Sequence, residues 1–257
     1  QILFEGEDLA RKGEGSLRPY RRKMQMVFQD PYSSLNPRMN GGEIIAEPLV
    51  IHERLGKKEQ RRRVAELLNL VGLLPDHYDR YPHEFSGGQR QRIGIARAIA
   101  LLPKLIVADE PVSSLDVSVA AQIVNLLQDL QQKFNLSILF IAHDLKMVKY
   151  LSHRIAVMYL GKIVELAPRS EFVRPLHPYT QALMAAVPVA DPETRWEKIV
   201  LQGEVPSPIN PPSGCAFHPR CRFAESRCKM EKPGLKEWRK GQSAQGHWVR
   251  CHFVEKI

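Results

Sequence analysis

No stretch of the 257 residues approaches the roughly 18 consecutive apolar side chains that a membrane-spanning helix needs, so the chain is not itself a channel or carrier. It opens QILFEGEDLA, with no basic stretch leading into an apolar region, so no secretory leader is visible, and its first residue is not methionine. There is no internal repeat and no low-complexity tract. With 44% hydrophobic and 25% charged residues the composition is that of a globular protein, which excludes a disordered or collagenous chain. At roughly 100–200 residues per domain the length implies one large domain or two modest ones. Lys and Arg outnumber Asp and Glu by 37 to 28, a net charge of +9, which raises the question of an anionic partner. The two basic clusters, Arg18–Arg21–Arg22–Lys23 and Lys57–Lys58–Arg61–Arg62–Arg63, read better as solvated faces. The second leads into Val64, Leu67, Leu68 and Val71 at helical spacing. No nucleic-acid partner is expected.

Three short aliphatic runs, KLIVAD (104–109), SILFIA (137–142) and RIAVMY (154–159), read as strands buried on both faces, as in a parallel sheet covered by helices. Leu115, Val119, Ile123, Leu126/Leu127 and Leu130 mark a helix between the first two, giving a βαβ unit. MQMVF (24–28) is a further strand, and MYLGKIVEL a hairpin turning at Leu160–Gly161. From about Asp30 to Leu102 the pattern is helical, interrupted by Pro48, Pro75 and Pro82. Beyond Leu166 the composition changes, and the stiff linker EVPSPINPPSG leads into a tail that holds all four cysteines.

Two motifs carry chemistry. In EFSGGQRQRIGIARAIA (84–100), Ser86 and Gln89 fit a capping box, but Gly87–Gly88 places two poor helix formers in the first turn. Glycines there bare backbone N–H groups at the positive helix end, where a phosphate can approach. Ser86 and Gln89 would add contacts to the same anion. In LIVADEP (105–111) an apolar strand delivers Asp109 and Glu110 at its C-terminal end, where open α/β sheets hold their ligands. Asp109 suits Mg²⁺, and Glu110 the activation of a water. The second buried strand ends in IAHD, which brings His143 to the same sheet edge.

In this order FSGGQRQR resembles the signature motif of ATP-binding-cassette (ABC) ATPases, LIVADEP their Walker B, SSLD (113–116) their D-loop, His143 their switch histidine and Gln29 their Q-loop. VFQDPYSSLNPRM, LDVSVAAQIVNLLQDLQ, AVMYLGKIVE, HPYTQALMAAVP and the PSPINPPSGC tail narrow the resemblance. It is to the ATP-binding subunits of bacterial dipeptide/oligopeptide importers, the F-type member of the usual pair being closer. The resemblance implies an α/β fold: a P-loop NTPase-type ABC nucleotide-binding domain with an inserted helical subdomain (about 31–100) and a small C-terminal cysteine module. The ATPase domain would span 1–166 and the extension 167–257.

It also implies roles. Gln29 would touch Mg²⁺ and the attacking water, Asp109 would position Mg²⁺, Glu110 would be the general base and His143 would contact the γ-phosphate. Ser86, Gly87, Gly88 and Gln89 would bind ATP held by the opposite subunit, and Asp116 would link the two sites. Ser114 and Gly41 depart from the family's wording without touching this chemistry. Partners implied are two transmembrane permease subunits, a second ABC ATPase subunit and an extracytoplasmic solute-binding protein, with the chain on the cytoplasmic face of the inner membrane. Its function would be to energise peptide import. A soluble ABC ATPase acting on ribosomes or DNA, and a non-catalytic binding module, are the alternatives.

A G-x-x-x-x-G-K-[ST] loop, the phosphate cradle of such enzymes, is absent. A truncated N-terminus is the expected reason; the full-length protein is expected to be an ATPase, and these residues alone to bind ATP weakly or not at all and to be inactive. Cys215, Cys221, Cys228 and Cys251 are too widely spaced for the usual paired zinc knuckle, although His218, His247 and His252 stand close by as substitute ligands. Disulfides do not suit a reducing cytosol. Four thiolates suit a four-iron four-sulfur cluster, and the resemblance points the same way. Unmetallated thiols and zinc remain alternatives.

Overall fold

The computed structural model describes residues 1–187, 199–238 and 246–256; Pro188, which ends the HPYTQALMAAVP stretch, lies outside them. Two compact units divide the chain, Gln1–His143 and Asp144–Ile257.

The first unit begins with a hairpin of β1 (Leu3–Phe4) and β2 (Glu7–Asp8), and α1 (Glu14–Lys23) feeds directly into β3 (Met24–Val27). With β4 (Leu105–Asp109) and β5 (Ser137–Ile141) this strand forms a parallel sheet ordered β3–β4–β5. The crossover is α5 (Val117–Phe134), capped by the Asp116 carboxylate on the Val119 amide at 3.0 Å and stopped by Asn135 in the left-handed region. It buries Ile123, Leu127 and Leu130 of the expected stripe together with Ala120 and Val124, while Leu115, Val119 and Leu126 are half-buried.

Across the sheet, Val27, Ala108 and Phe140 share one row, and Met26, Val107 and Leu139 the next. Val27, Ile106 and Ala108 are buried, whereas Met26, Leu139 and Ile141 are exposed. The expectation of burial on both faces is therefore corrected. Among the described residues the helices cover one face, and alternate side chains of each strand point away from it.

Between β3 and β4 lie α2 (Gly41–Glu53), α3 (Lys57–Leu70) and α4 (Gly87–Ile99). Their shared core contains Ile44, Ile45, Leu49, Val64, Leu68, Ile93 and Ile99. Pro75 and Pro82 open short 3₁₀ turns, as Pro does at a first helical position. Pro48 does not interrupt: it sits within α2 with its ring buried, and core packing outweighs the one backbone hydrogen bond it removes.

In the second unit, α6 (Leu145–Leu151) precedes β6 (Arg154–Tyr159) and β7 (Lys162–Pro168), joined at Leu160–Gly161, both at positive φ. The later pieces are α7 (Pro178–Ala185), α8 (Ser226–Met230), β8 (Lys236–Glu237) and β9 (Trp248–Val249). The strand order is β6–β7–β9–β8, antiparallel throughout, so 154–159 is not a strand of the parallel sheet. Its side chains alternate between buried and exposed because a hairpin partner leaves one face uncovered. The composition change near Leu166 falls within β7.

One carboxylate organises this unit. Glu165 on β7 is fully buried and accepts hydrogen bonds from the amides of Leu176 and His177 and from His247 Nε2 at 2.7 Å. Burial alone would raise its pKa, but these donors hold it below the usual carboxylate value. His177 caps α7 by accepting the Tyr179 amide on Nδ1. Burial drives its pKa down from 6.5 to about 4, against the pull of Glu165.

Two expectations follow. The unfolded chain protonates His177 near its ordinary value of 6.5, while the folded chain does so only near about 4. As pH falls through that window the unfolded state binds the proton and the unit loses stability. His177→Asn, which keeps a capping side chain, should flatten this part of the pH–stability profile in thermal melts; an unchanged slope would contradict the assignment. Gly214 has φ +64°, and a Cβ there would lie 2.3 Å from the Cys228 carbonyl oxygen. Gly214→Ala should cost about 2–4 kcal/mol in urea unfolding. A loss under about 0.5 kcal/mol would show that the close approach is not needed.

Candidate functional site

The C-terminal ends of β3, β4 and β5 gather four of the expected residues. Gln29 lies two residues past β3, Asp109 is the last residue of β4, Glu110 follows it and His143 lies two residues past β5. Asp109 stands in register with Ile141, and the ladder continues one step beyond the strands, where the Glu110 amide donates to the Ile141 carbonyl at 2.9 Å. That bond holds Glu110 at φ +43°, a left-handed conformation costly for a side chain with a Cβ. The Ser113 amide and hydroxyl both donate to the Glu110 carbonyl, at 3.2 and 3.1 Å, and fix the turn.

The Glu110 side chain is the meeting point. Its Oε2 accepts from Gln29 Nε2 at 3.0 Å and lies 3.4 Å from His143 Nδ1. The Glu110 side chain is 28% exposed and that of His143 72%, so the group faces solvent on one side, as a site for a large charged substrate requires. Gln29 uses its side-chain N–H on Glu110.

Ser86, Gly87, Gly88, Gln89 and Asp116 form a second group. Ser86 Oγ accepts the Gln89 amide at 3.3 Å while Gln89 Oε1 accepts the Ser86 amide at 3.0 Å, the reciprocal capping box. Each side chain therefore bonds the other residue's backbone amide rather than projecting freely. The glycines have a structural duty the sequence reading missed. A Cβ on Gly88 would lie 2.4 Å from Val119 Cγ1, and one on Gly87 3.3 Å from Leu115 Cδ2. The start of α4 thus packs directly on the start of α5, which brings Asp116 beside the signature segment.

Two arginines of α4 also escaped the sequence reading. Arg90 Cζ lies 5.1 Å from the Tyr32 ring centroid, Arg97 Cζ lies 5.9 Å from that of Phe28, and Arg97 Nη1 donates to the Ser34 carbonyl at 2.9 Å. Nothing in their spacing announced a contact with residues some sixty positions earlier.

In the second unit the cysteines are free thiols, with Cys228 buried and the others half-buried. The Cys215 amide donates to the Cys228 carbonyl at 2.8 Å, and Ser213 Oγ to the Lys229 carbonyl at 2.9 Å. Burial pushes the Cys221 thiol up to about 11, and the nearby thiolates of Cys251, Cys215 and Cys228 add to it. Burial likewise raises Cys215 and Cys251, each within electrostatic reach of Cys228.

Among the described residues no group of three or more His, Cys, Asp or Glu side chains is arranged to hold a metal ion. The substitute zinc ligands are engaged elsewhere: His218 Nδ1 bonds the Cys215 carbonyl, His252 Nε2 the Glu231 carbonyl and His247 the Glu165 carboxylate. None of these residues lines the cavity of about 430 Å³ between the N-terminal hairpin and α1, which is lined by Glu5, Glu7, Lys12 and Tyr20 among others.

Residues 1–113 match the family model for the ABC transporter, and residues 164–228 that for the oligopeptide/dipeptide transporter, C-terminal region. A probable peptide ABC transporter ATP-binding protein of Sinorhizobium fredii is 55% identical over 253 residues, 98% of this chain and 70% of that protein. An oligopeptide transport ATP-binding protein of Bacillus subtilis is 54% identical over 257 residues, 98% of this chain and 77% of its own length. Among solved structures, a dimeric ATP-binding cassette in a post-hydrolysis state, bound to ADP and Pi, superposes with a TM-score of 0.59 at 28% identity over 65% of this chain and 72% of its own. A component of the cbiONQ ABC transporter complex of Clostridium perfringens gives 0.60 at 25% identity, over 66% of each chain. No described helix is long and apolar enough to cross a membrane. The chain belongs to the ATP-binding proteins of peptide ABC transporters, a family of transport-coupled ATPases.

Proposed function

We propose that this chain hydrolyses ATP to drive the import of peptides, and that the cluster on Glu110 is its chemical centre. The convergence of Gln29 and His143 on one carboxylate oxygen carries this reading. Glu110 takes a proton from the attacking water as that water's oxygen bonds to the γ-phosphorus. The bond from the γ-phosphorus to the bridging oxygen breaks, and ADP leaves with that electron pair. His143, exposed and beside Glu110, contacts the γ-phosphoryl oxygens. Asp109 and the Gln29 carbonyl oxygen would hold Mg²⁺, which neutralises phosphate charge when bound.

Ser86, Gly87, Gly88 and Gln89 present the N-terminus of α4 to a nucleotide held by a second ATPase subunit, with Asp116 packed beside them to relay between sites. The helical segment 31–100 and the extension 167–257 are proposed as an inserted subdomain and a family-specific module. Two permeases and an extracytoplasmic solute-binding protein complete the assembly, and the chain works from the cytoplasmic face of the inner membrane.

The finer proposal for the tail is a four-iron four-sulfur cluster on Cys215, Cys221, Cys228 and Cys251. Four thiols of which Cys221 lies within electrostatic reach of the other three support that proposal. Such a cluster would supply one-electron chemistry or a cross-link between loops.

In the assembled transporter, Glu110→Gln should lower ATP turnover by about 10²–10⁴-fold while nucleotide still binds. Turnover within about two-fold of the parent would remove Glu110 as the base. Anaerobic reconstitution should give about four iron per chain, and Cys251→Ser should lower that content markedly. Zinc in place of iron, or no metal, would reject the cluster.

A further inference from the structure

We infer that Arg97 is a positioning residue for ATP hydrolysis, locking the loop that carries Gln29 to the helix that begins with the signature glycines. The inference rests on the roles proposed for Gln29 and Glu110. Arg97 lies in the last turn of α4, eleven residues beyond Ser86, about 16 Å along the helix at 1.5 Å per residue. Its guanidinium is half-buried. Nη1 donates to the Ser34 carbonyl at 2.9 Å, and the cation lies 5.9 Å from the ring centroid of Phe28, the residue before Gln29. Burial lowers its pKa, and the charge of Glu47 on α2 opposes that only in part.

Ser34 is itself tied into the loop, since its amide donates to the Asp30 carbonyl and its hydroxyl to the Pro31 carbonyl. Arg90, nearer the signature end, covers the Tyr32 ring and donates Nε to the Pro82 carbonyl at 2.9 Å. Residues 28–34 are thus gripped at both ends from one rigid helix, with Gln29 between the grips and bonded to Glu110 at 3.0 Å. Phe28 and Tyr32 are 45% and 57% exposed, so apolar burial does little to hold them. A movement of α4 at its signature end is thereby carried to the atom beside the general base. An Arg suits this post because its planar fork serves the carbonyl and the ring face together, which a Lys ammonium does not.

The experiment is a double-mutant cycle in the assembled transporter, with ATPase kinetics on Arg97→Gln, Gln29→Ala and the pair. Arg97→Gln should lower kcat about ten-fold with KM for ATP within about two-fold, should have no further effect in the Gln29→Ala background, and Arg97→Lys should restore part of the loss. Equal losses in both backgrounds, or an unchanged kcat, would overturn the inference. If Gln29→Ala alone leaves kcat unchanged, the role proposed for Gln29 fails, and with it the route by which Arg97 acts. Should Arg97→Gln not assemble, the same cycle with Arg97→Lys decides, additive losses again counting against it.

Discussion

The parallel register between β4 and β5 is the constraint from which the site follows. Asp109 faces Ile141, and because the Glu110 amide takes the Ile141 carbonyl one step later, the chain after β4 is held where the chain after β5 must pass. His143 and Glu110 meet for that reason, and Gln29 joins them because β3 lies parallel on the other side of β4. The left-handed conformation at Glu110 is the local cost, of the order of 1 kcal/mol, and the ladder bond and Ser113 offset it. Parallel strands bring three loops to one edge without any of them being close in sequence.

The signature segment combines two duties in the same atoms. Gly87 and Gly88 leave backbone N–H groups open at a helix start, and they let that start press against Leu115 and Val119. The capping box supplies the helix end with its bonds. Packing here sets which side chains lie beside Asp116, and the arginines of the same helix set the loop around Gln29. One helix therefore touches both halves of the proposed chemistry.

The second unit is built on a different principle. Its hairpin and short strands enclose a modest aromatic cluster of Tyr159, Phe172 and Phe217, and the irregular segments are held by polar anchors. Glu165 satisfies two amides ahead of α7 and one imidazole from the final segment, so three parts of the chain converge on a carboxylate with no access to water. Removing one of these donors is destabilising, because the buried carboxylate would lose a hydrogen bond that water cannot replace. Cys228 lies in α8 and the other thiols in the segments around it, tied by bonds such as that from the Cys215 amide to the Cys228 carbonyl.

The hydrophobic runs located β3, β4, β5 and β6 to within a residue, and the periodic leucines located α5, because local pattern alone dictates such elements. The residues at strand ends were legible too, since a carboxylate pair closing an apolar run has few structural uses. The parallel pairing of β4 with β5 and the hairpin at Leu160–Gly161 were legible as well. The sheet to which RIAVMY belongs was not: it reads like a buried parallel strand, yet it pairs only with its hairpin neighbour, because sheet membership depends on what packs above. Pro48 inside α2, the contact of Gly88 with Val119, and the grip of Arg97 on Ser34 belong to the tertiary structure alone. Each depends on distances between segments remote in sequence, and a side chain's neighbours across such gaps are fixed only when the core has closed.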